Sequence, residues 1–421
     1  MAQKIPTAAA TSWLLALLFF MLTAGVQDTL AAEDNIDHLI SNGGYMIEDS
    51  SGRHRYRADD LFVPASTMKV LTSLIALELL SPEYRFETHF FLDSQANLYI
   101  KGYGDPLLTS ANILEIGKKL AGMGITKLRS LCLDDSVFSL NGETASDENS
   151  ANSYDAPNGA LAVNFNAVPI LVGKNGKVSS AEPETPLLPL MKQIGSGLAP
   201  GSYRLNINML PPEADKSPTL RYAGELLTAQ LQKAGITIQH PFKKENTPGS
   251  LKPVFIHQSP APLEEIVREC LKYSNNFIAN QLFLTCGLQA YGFPATWDKG
   301  RQTFGNYAMT SLGLPKEVLI VMDGAGLSRQ NRVSPAALIQ ILGRFKPFAT
   351  LLKQYESIPL KSGTLTGVYC YAGYFPQNDT LIPFALLLNQ PENTRKQLLK
   401  ELQARVPIGD TGIPLARLDK R

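Results

Sequence analysis

Three short polar segments, far apart along the chain, constrain its fold more than any other feature of the sequence. They are Ser66-Thr67-Met68-Lys69, Ser274-Asn275-Asn276 and Lys361-Ser362-Gly363-Thr364. Together they supply hydroxyls, two amines and side-chain amides, the groups that serine-nucleophile chemistry uses. If they form one site, the fold must bring the first segment beside the second across about 200 residues of sequence. The intervening stretch must then leave and return at nearby points.

The first segment combines a candidate nucleophile with a candidate base. We predict a helix from about Ser66 to Leu80, apolar on nearly every face and therefore central to a domain. Residues three apart share a helix face, so Ser66 and Lys69 can meet. A lysine accepts a serine proton when burial lowers its pKa. Alone, the pair is better explained as an N-cap serine and a solvated surface lysine, because Ser-x-x-Lys occurs by chance in most proteins.

The other two segments are also ambiguous in isolation. Ser274-Asn275-Asn276 separates two predicted helices, Pro262–Tyr273 and Phe277–Cys286, where a plain turn is the simpler interpretation. Lys361-Ser362-Gly363-Thr364 lies on the predicted strand Leu360–Leu365, and its glycine allows a substrate backbone to approach closely. A strand-end turn explains it as well. Their joint occurrence, in this order and in these contexts, is far more specific.

The combination of Ser-x-x-Lys, Ser-x-Asn and Lys-Thr-Gly is typical of penicillin-binding proteins and class A β-lactamases. On these motifs the sequence resembles the class C low-molecular-mass penicillin-binding proteins, the DacB-type D-Ala-D-Ala carboxypeptidases and endopeptidases. The resemblance departs from the usual family pattern at Ser362, where the family has threonine, and the hydroxyl is retained. It extends over essentially the whole mature chain through Pro64–Lys69, Gly102–Pro106, Leu133–Phe138, Tyr154–Pro157, Ala160–Asn166 and Asp323–Arg329.

The resemblance implies an α/β (α+β) fold: a β-lactamase-like transpeptidase domain with an antiparallel sheet flanked by helices. Residues 32–85 and 256–421 are expected to form this discontinuous catalytic domain, split by one or more mainly-β inserted domains at 86–255. No catalytic group is expected from the insert.

Local patterns predict the remaining elements. Alternating runs indicate strands, short turns near the C-terminus indicate an antiparallel meander, and dense prolines indicate loops. These predictions are strands at Phe86–Leu92 and Leu98–Lys101, loops or a loosely built subdomain over Ala181–Pro218, meander strands Leu360–Leu365, Val368–Phe375 and Leu381–Leu388, and a final helix Thr394–Arg405.

By resemblance, the catalytic residues are Ser66, Lys69, Ser274 and Asn276. Ser66 attacks the carbonyl between two D-alanines, and Lys69 accepts its proton. Ser274 relays a proton to the leaving amine, and Asn276 orients Lys69 and the substrate amide. The substrate is implied to be a peptidoglycan stem peptide ending in D-Ala-D-Ala, with β-lactams as inhibitors.

The resemblance also implies a substrate-binding strand. Lys361, with Ser362 and Thr364, is expected to bind the terminal carboxylate, and Gly363 admits the substrate backbone. The backbone N–H groups of Ser66 and Thr364 are expected to form the oxyanion hole. A β-lactamase is the nearest alternative, but no Glu-x-x-Leu-Asn segment supplies its deacylating base, and the insert is long. A non-catalytic wall-binding scaffold is disfavoured because the motif residues are intact.

The first 31 residues indicate export. An apolar run, Trp13–Val26, is too short for a comfortable membrane span and is followed by Thr29-Leu30-Ala31, small residues suited to cleavage. We predict a cleaved signal peptide at 1–31 and a periplasmic or extracytoplasmic mature chain; an uncleaved anchor helix is the alternative.

Composition excludes several other classes. The chain has 39 Lys plus Arg against 38 Asp plus Glu, so no global charge selects nucleic acid. The five histidines form no H-x-H or HExxH pair, and neither a metal nor a cofactor is expected. Four cysteines allow three disulfide pairings, and buried free thiols are the favoured interpretation. They are Cys132, Cys270, Cys286 and Cys370.

Overall fold

The computed structural model describes residues 36–48, 54–143, 145, 150–210, 217–378 and 380–406. The predicted signal peptide lies outside the described residues. Residues 36–41, with one turn of 3-10 helix at Ile36–Leu39, belong to a separate unit, and the unit that builds the site begins at Asn42. Among the described residues, no helix has the length and apolarity needed to span a membrane.

The strands and helices are numbered in chain order. The strands are β1 (Gly43–Ile47), β2 (Arg55–Tyr56), β3 (Glu87–Leu92), β4 (Asn97–Gly102), β5 (Lys127–Leu128), β6 (Ser130–Asp134), β7 (Ala167–Val172), β8 (Val178–Ser180), β9 (Gly201–Asn206), β10 (Thr237–Ile238), β11 (Lys243–Lys244), β12 (Pro253–Gln258), β13 (Leu319–Ile320), β14 (Arg332–Val333), β15 (Lys353–Tyr355), β16 (Ile358–Leu365), β17 (Val368–Gln377) and β18 (Thr380–Leu388). The helices are α1 (Met68–Leu80), α2 (Ser110–Gly122), α3 (Pro189–Gly195), α4 (Pro218–Lys233), α5 (Leu263–Tyr273), α6 (Asn276–Tyr291), α7 (Trp297–Ser311), α8 (Pro335–Phe345) and α9 (Arg395–Arg405).

The largest sheet joins the two ends of the described chain. Its strand order is β15-β16-β17-β18-β1-β2, and every neighbouring pair is antiparallel. The predicted C-terminal meander is confirmed by β16, β17 and β18. Within it, Lys361 pairs with Ala372 and Gly363 with Cys370, which fixes the third motif on a buried strand. Helices α8 and α9 contact this sheet.

Helix α1 lies at the centre of the larger hydrophobic core, as its sequence predicts. Every residue from Met68 to Leu77 is buried, because apolar residues occur on all faces of the helix. The helix contacts α5, α6 and α8. The predicted helix pair around Ser274 is also confirmed: α5 ends at Tyr273, and α6 begins at Asn276 and continues to Tyr291, five residues beyond the predicted end.

The segment between β3 and β12 forms a second hydrophobic core. Strands β3 and β12, where the chain enters and leaves this segment, pair with each other in an antiparallel manner. The second core also contains α2 and α4, two long helices that the sequence patterns do not predict. The segment is not wholly separate, since its Val137, Phe138 and Ala160 pack in the larger core. The domain boundaries at 86–255 remain a prediction.

The interpretation of the proline-rich stretch as loops is wrong in part. Residues Ala181–Pro218 contain helix α3 and strand β9. Pro189 occupies the first turn of α3, where a proline lacks no needed N–H and its fixed φ suits the helix. Pro218 starts α4 in the same way. The prediction of free thiols is confirmed, since all four cysteines are buried and unpaired.

Close approach of α6 and α7 generates the first prediction. A Cβ added at Gly287 would lie 2.6 Å from the backbone nitrogen of Gly300, where no side chain can move aside. We expect Gly287→Ala to lower the free energy of unfolding by about 1–3 kcal/mol through overpacking. Gly305→Ala on α7 meets no atom within 4 Å and should raise it by up to about 1 kcal/mol through helix propensity. Denaturant titration measures the free energy of unfolding of both variants. A change of the same sign in Gly287→Ala and Gly305→Ala would contradict this account of the helix contact.

Candidate active site

Ser66 lies in a tight turn that precedes the central helix. The 3-10 turn Ala65–Thr67 leads directly into α1, and Ala65 has a φ of +48°, an uncommon conformation for a residue with a side chain. Two glycine backbones pack on this turn. A Cβ on Gly326 would lie 1.9 Å from the Ala65 carbonyl oxygen, and one on Gly363 would lie 3.0 Å from the Ser66 nitrogen. The third motif and the Ser66 turn are thus in direct contact.

Lys69 is the fully buried amine at the centre of the site. Its Nζ donates to Ser66 Oγ at 3.0 Å, to Asn276 Oδ1 at 2.7 Å and to the Ala325 carbonyl oxygen at 2.7 Å. These three bonds use all three protons of an ammonium group. Once Lys69 loses a proton, the two carbonyl acceptors still hold its two N–H groups. Its lone pair is then directed at Ser66, the one partner that can donate a proton back.

Burial tunes Lys69 toward this role. Removal from water disfavours the charged form and lowers the pKa of Lys69 from 10.5 to about 8, while the negative charge of Asp323 opposes the shift. A pKa near 8 leaves a useful neutral fraction at physiological pH. The ideal catalytic base has its pKa near the working pH.

A rigid turn places the Ala325 carbonyl. The buried carboxylate of Asp323 accepts hydrogen bonds from four backbone N–H groups and one side-chain amide, all of them within the turn that follows it. Asn280 Oδ1 adds two further bonds, from the nitrogens of Gly324 and Ala325. The donors to Asp323 are Ala325 N at 2.8 Å, Gly326 N at 2.8 Å, Leu327 N at 3.1 Å, Ser328 N at 2.8 Å and Asn331 Nδ2 at 2.7 Å.

Ser274 occupies the break between α5 and α6. It adopts a left-handed conformation, φ +54° and ψ +41°, and ends α5, while the Asn275 side chain caps α6 by accepting from Ile278 N at 3.0 Å. This sharp break allows Ser274 to point toward the third motif. Its Oγ accepts a 2.9 Å hydrogen bond from Lys361 Nζ.

Lys361 is the second buried amine, 3% exposed. Besides Ser274 it donates to the Ser362 carbonyl oxygen at 2.6 Å. Burial, and after it the positive charge of Lys69, lowers the pKa of Lys361 to about 7. Two like charges in one desolvated region oppose each other, so the pair resists full protonation. Any anion that binds beside Lys361 restores its charge.

These groups border an open cleft of about 370 Å³. Ser66, Ser274, Asn276 and Thr364 line it, so one residue or more from each of the three motifs faces the same space. Lys69 and Lys361 are buried and donate hydrogen bonds to Ser66 and Ser274, two of the residues that line the cleft. Further lining residues are Tyr154, Asp155, Gly326, Leu327, Arg329, Leu365 and Thr366.

The structure therefore brings all three predicted motifs together. Ser362 contributes its carbonyl oxygen to Lys361, whereas Thr364 provides the cleft wall. The inserted segment also reaches the site, which was not expected from sequence. Asn276 Nδ2 donates to the Tyr154 carbonyl oxygen at 3.1 Å, and Tyr154 and Asp155 line the cleft.

The sequence patterns also failed to identify two residues that support the site, Asn280 and Asp323. Asn280 lies one helical turn after Asn276, a spacing that puts both amides on one face of α6 and is the signal that predicts its position. Asp323 heads the Asp-Gly-Ala-Gly segment, which was noted only as part of the resemblance. Its turn-forming role follows from the short carboxylate and the two glycines that come after it.

Comparison with known proteins identifies relatives. The D-Ala-D-Ala carboxypeptidase 3 (S13) family matches residues 28–195 and 213–360. The D-alanyl-D-alanine carboxypeptidase of Actinomadura sp. (strain R39) is 25% identical over 435 residues, covering 86% of this chain and 80% of the relative. D-alanyl-D-alanine carboxypeptidase DacB of Haemophilus influenzae is 24% identical over 383 residues, covering 76% and 78%.

A solved structure shares the fold. The crystal structure of penicillin binding protein 4 (dacB) from Haemophilus influenzae superposes with a TM-score of 0.73 at 19% identity. The match covers 89% of this chain and 98% of that protein. The predicted fold class, a penicillin-binding domain with an antiparallel sheet and flanking helices, is confirmed.

The Asp323 turn generates the second prediction. Asp323→Ala leaves its five donors without their acceptor inside a buried turn, so we expect the free energy of unfolding to fall by about 3–5 kcal/mol. Asp298→Ala is the matched control. The Asp298 side chain is 89% exposed in a surface ion pair with Arg301, and its removal should cost less than about 1 kcal/mol. Urea titration measures both variants, and similar losses would refute the structural importance given to the turn.

Proposed function

The chain belongs to the D-Ala-D-Ala carboxypeptidase 3 (S13) family, and we propose that it hydrolyses the terminal peptide bond of peptidoglycan stem peptides ending in D-Ala-D-Ala. The reaction proceeds through an acyl-enzyme at Ser66. Curated relatives named D-alanyl-D-alanine carboxypeptidase, matched along most of their length, support this activity. The chain is thus a serine-type peptidase.

One observation carries the mechanism: the threefold hydrogen bonding of Lys69. Because Asn276 and Ala325 hold two of its protons, neutral Lys69 presents its lone pair to Ser66 Oγ, 3.0 Å away. The Ser66 hydroxyl therefore has a positioned base before substrate arrives. This is the arrangement expected of an activated nucleophile, with the base oriented by further groups.

Acylation follows from this geometry. Ser66 Oγ attacks the carbonyl carbon of the penultimate D-Ala while its proton passes to Lys69. The carbonyl oxygen becomes an oxyanion, and we assign its stabilisation to the backbone N–H groups of Ser66 and Thr364. Such preorganised donors contribute about 3–4 kcal/mol to the rate. Gly363, packed on the Ser66 turn, keeps these two backbone segments close.

Departure of the terminal D-Ala requires a proton on its nitrogen. Ser274 is suited to relay it, since its hydroxyl lies in the cleft and is hydrogen-bonded to Lys361. As Ser274 gives its proton to the nitrogen, it receives the proton that Lys69 took from Ser66, so Lys69 is neutral again after acylation. The C–N bond breaks, D-Ala leaves as an amine, and the acyl group stays on Ser66. Water then attacks the ester and releases the shortened peptide.

We assign the terminal carboxylate of the substrate to Lys361 and Thr364. Two of the three Lys361 protons are used by Ser274 and the Ser362 carbonyl, which leaves one N–H for an anion. A β-lactam also carries a carboxylate beside a reactive amide. We propose that it acylates Ser66 in the same orientation.

The place of action follows from the substrate. We propose that the chain is exported by its N-terminal 31 residues and acts in the periplasm or at another extracytoplasmic site, where peptidoglycan lies. We also propose that residues 32–85 and 256–421 form the catalytic domain around the inserted residues 86–255. Pairing of β3 with β12 supports this division, because the insert leaves and returns at adjacent strands.

The third prediction concerns the nucleophile. Ser66→Ala should abolish both D-Ala release from a D-Ala-D-Ala peptide and covalent labelling by a fluorescent penicillin. Loss of one hydroxyl at a helix start costs about 1 kcal/mol or less, so the thermal transition should hardly move. Mass spectrometry of the wild-type adduct should locate the penicilloyl group on Ser66. Labelling that survives in Ser66→Ala would exclude this serine as the nucleophile.

The fourth prediction concerns pH. The active form needs neutral Lys69 and charged Lys361, although the pKa of Lys69, about 8, lies above that of Lys361, about 7. For this reverse order of pKa values, kcat/KM should rise as pH increases through about 7 and fall as pH increases through about 8, and only a minor fraction of the protein is active at the maximum. A peptide acid should therefore give a bell-shaped profile whose two apparent pKa values belong to the coupled pair. The same peptide with an amidated C-terminus does not need charged Lys361 and should give only the rising limb.

Lys361→Ala provides the matched test of this assignment. It should reduce kcat/KM for the acid by about 100-fold or more, because a buried ion pair with the carboxylate is lost. The amide, already slow with wild-type enzyme, should change much less. A falling limb that persists with the amide would contradict the role given to Lys361.

A further inference from the structure

Arg395, the first residue of α9, approaches the third motif from the C-terminal helix. Its Nη1 donates to the Gly363 carbonyl oxygen and to Thr364 Oγ1, both at 2.8 Å. Its guanidinium carbon lies 4.7 Å from the centre of the buried Tyr371 ring, a cation–π distance. Arg395 thus connects two separate parts of the fold, the final helix and the strand that borders the cleft.

The hydrogen bond from Arg395 to Thr364 determines whether the Thr364 hydroxyl donates or accepts a hydrogen bond toward a ligand. Thr364 Oγ1 accepts a hydrogen bond from the Arg395 guanidinium group, which has no acceptor atom of its own. The Thr364 hydroxyl hydrogen must therefore point to another partner, and Thr364 lines the cleft. A hydroxyl donor on a residue of the cleft wall, polarised by an adjacent cation, favours an anionic ligand.

The placement of Arg395 is locally unfavourable for α9. A cation in the first turn of a helix faces the positive end of the helix dipole. Its Nε is buried and has no hydrogen-bond partner among the described residues. Lys361 lies close enough for the charge of Arg395 to act on it. The fold thus places a third cation beside the two buried lysines.

We propose that Arg395 is a positioning residue of the carboxylate subsite, selecting substrates with a free C-terminal carboxylate by orienting the Thr364 hydroxyl and fixing the Gly363–Thr364 backbone. The inference deepens the proposed function and depends on it. Arg395 acts through Thr364 and through its charge, without forming a bond to the reacting atoms. Its effect should therefore appear in substrate binding and in acid-versus-amide preference.

The test compares Arg395→Met with Lys396→Met. Lys396 is the adjacent exposed residue of the same helix, so the control removes the same charge from the same turn. Turnover is measured on a D-Ala-D-Ala peptide acid and on its C-terminal amide. We expect Arg395→Met to lower kcat/KM for the acid about tenfold, equivalent to about 1.4 kcal/mol, mainly through a higher KM. The amide should change less than about twofold, and Lys396→Met should leave both substrates within twofold.

A double-mutant cycle with Thr364→Val tests whether Arg395 acts through Thr364. We expect the Arg395→Met effect on the acid to shrink to less than about threefold in the Thr364→Val background, because the coupled group is gone. Full additivity would overturn the Thr364 step. If Arg395→Met lowers kcat/KM equally for the acid and the amide, Arg395 has a purely structural role. If kcat/KM for the acid is unchanged, Arg395 has no role in the reaction.

If Arg395→Met does not fold, the more conservative variant Arg395→Lys still tests the proposal. Lysine keeps the charge but cannot reproduce the planar geometry that reaches both acceptors, so an intermediate loss for the acid is expected. An unchanged acid-to-amide preference in a folded Arg395→Lys would overturn the positioning role. The two proposals also fail separately. A wild-type protein without a penicilloyl adduct on Ser66 would sink the proposed function, whereas an active wild type with indifferent Arg395 variants would sink only this one.

Discussion

The site depends on one interaction, the hydrogen bonding of the buried Lys69 amine. An ammonium group removed from water must be paired or hydrogen-bonded, and here three acceptors from three separate elements meet it. Each acceptor needs its own support: the strained turn before α1 for Ser66, the left-handed break before α6 for Asn276, and the Asp323-centred turn for the Ala325 carbonyl. The catalytic half of the fold can be understood as the structure that holds these three acceptors at hydrogen-bonding distance from one nitrogen.

The second buried lysine, Lys361, makes the protonation of Lys69 depend on what binds in the cleft. Lys69 and Lys361 compete for protons, because the positive charge of Lys69 lowers the pKa of Lys361. A carboxylate bound beside Lys361 favours its charged form. By the same repulsion, a charged Lys361 favours neutral Lys69, the form that can accept the proton of Ser66. If Lys361 binds the C-terminal carboxylate as proposed, substrate recognition and activation of Ser66 are linked electrostatically, because the bound substrate favours the neutral Lys69 that accepts the Ser66 proton.

Sequence patterns predicted the parts of this site that depend on local structure. Ser66 and Lys69 share a helical face, Ser274 lies between two periodic helices, and Lys361 lies on an apolar strand, so spacing alone placed each motif on its element. Partners supplied by tertiary contact could not be predicted in this way. The Ala325 carbonyl has no side-chain signature, and the bonds of Arg395 to β16 join residues more than 30 positions apart. The prolines were misinterpreted as loop signals for a physical reason. Proline is favoured at the first position of a helix, and Pro189 and Pro218 each occupy that position.

The inserted segment contributes more to the site than a separate domain needs to. Its own core encloses α2 and α4, yet Val137 and Phe138 pack in the catalytic core, and Asn158 Nδ2 donates to Gln281 Oε1 at 3.0 Å on α6. The Tyr154 carbonyl accepts a hydrogen bond from the Asn276 side-chain N–H, which fixes that amide with its oxygen toward Lys69. An amide free to flip would present N–H groups to the ammonium and lose an acceptor. The inserted segment therefore holds the Asn276 amide through one backbone carbonyl, and Asn276 in turn accepts a hydrogen bond from Lys69. The placement of the segment and the environment of Lys69 are connected through this pair of hydrogen bonds.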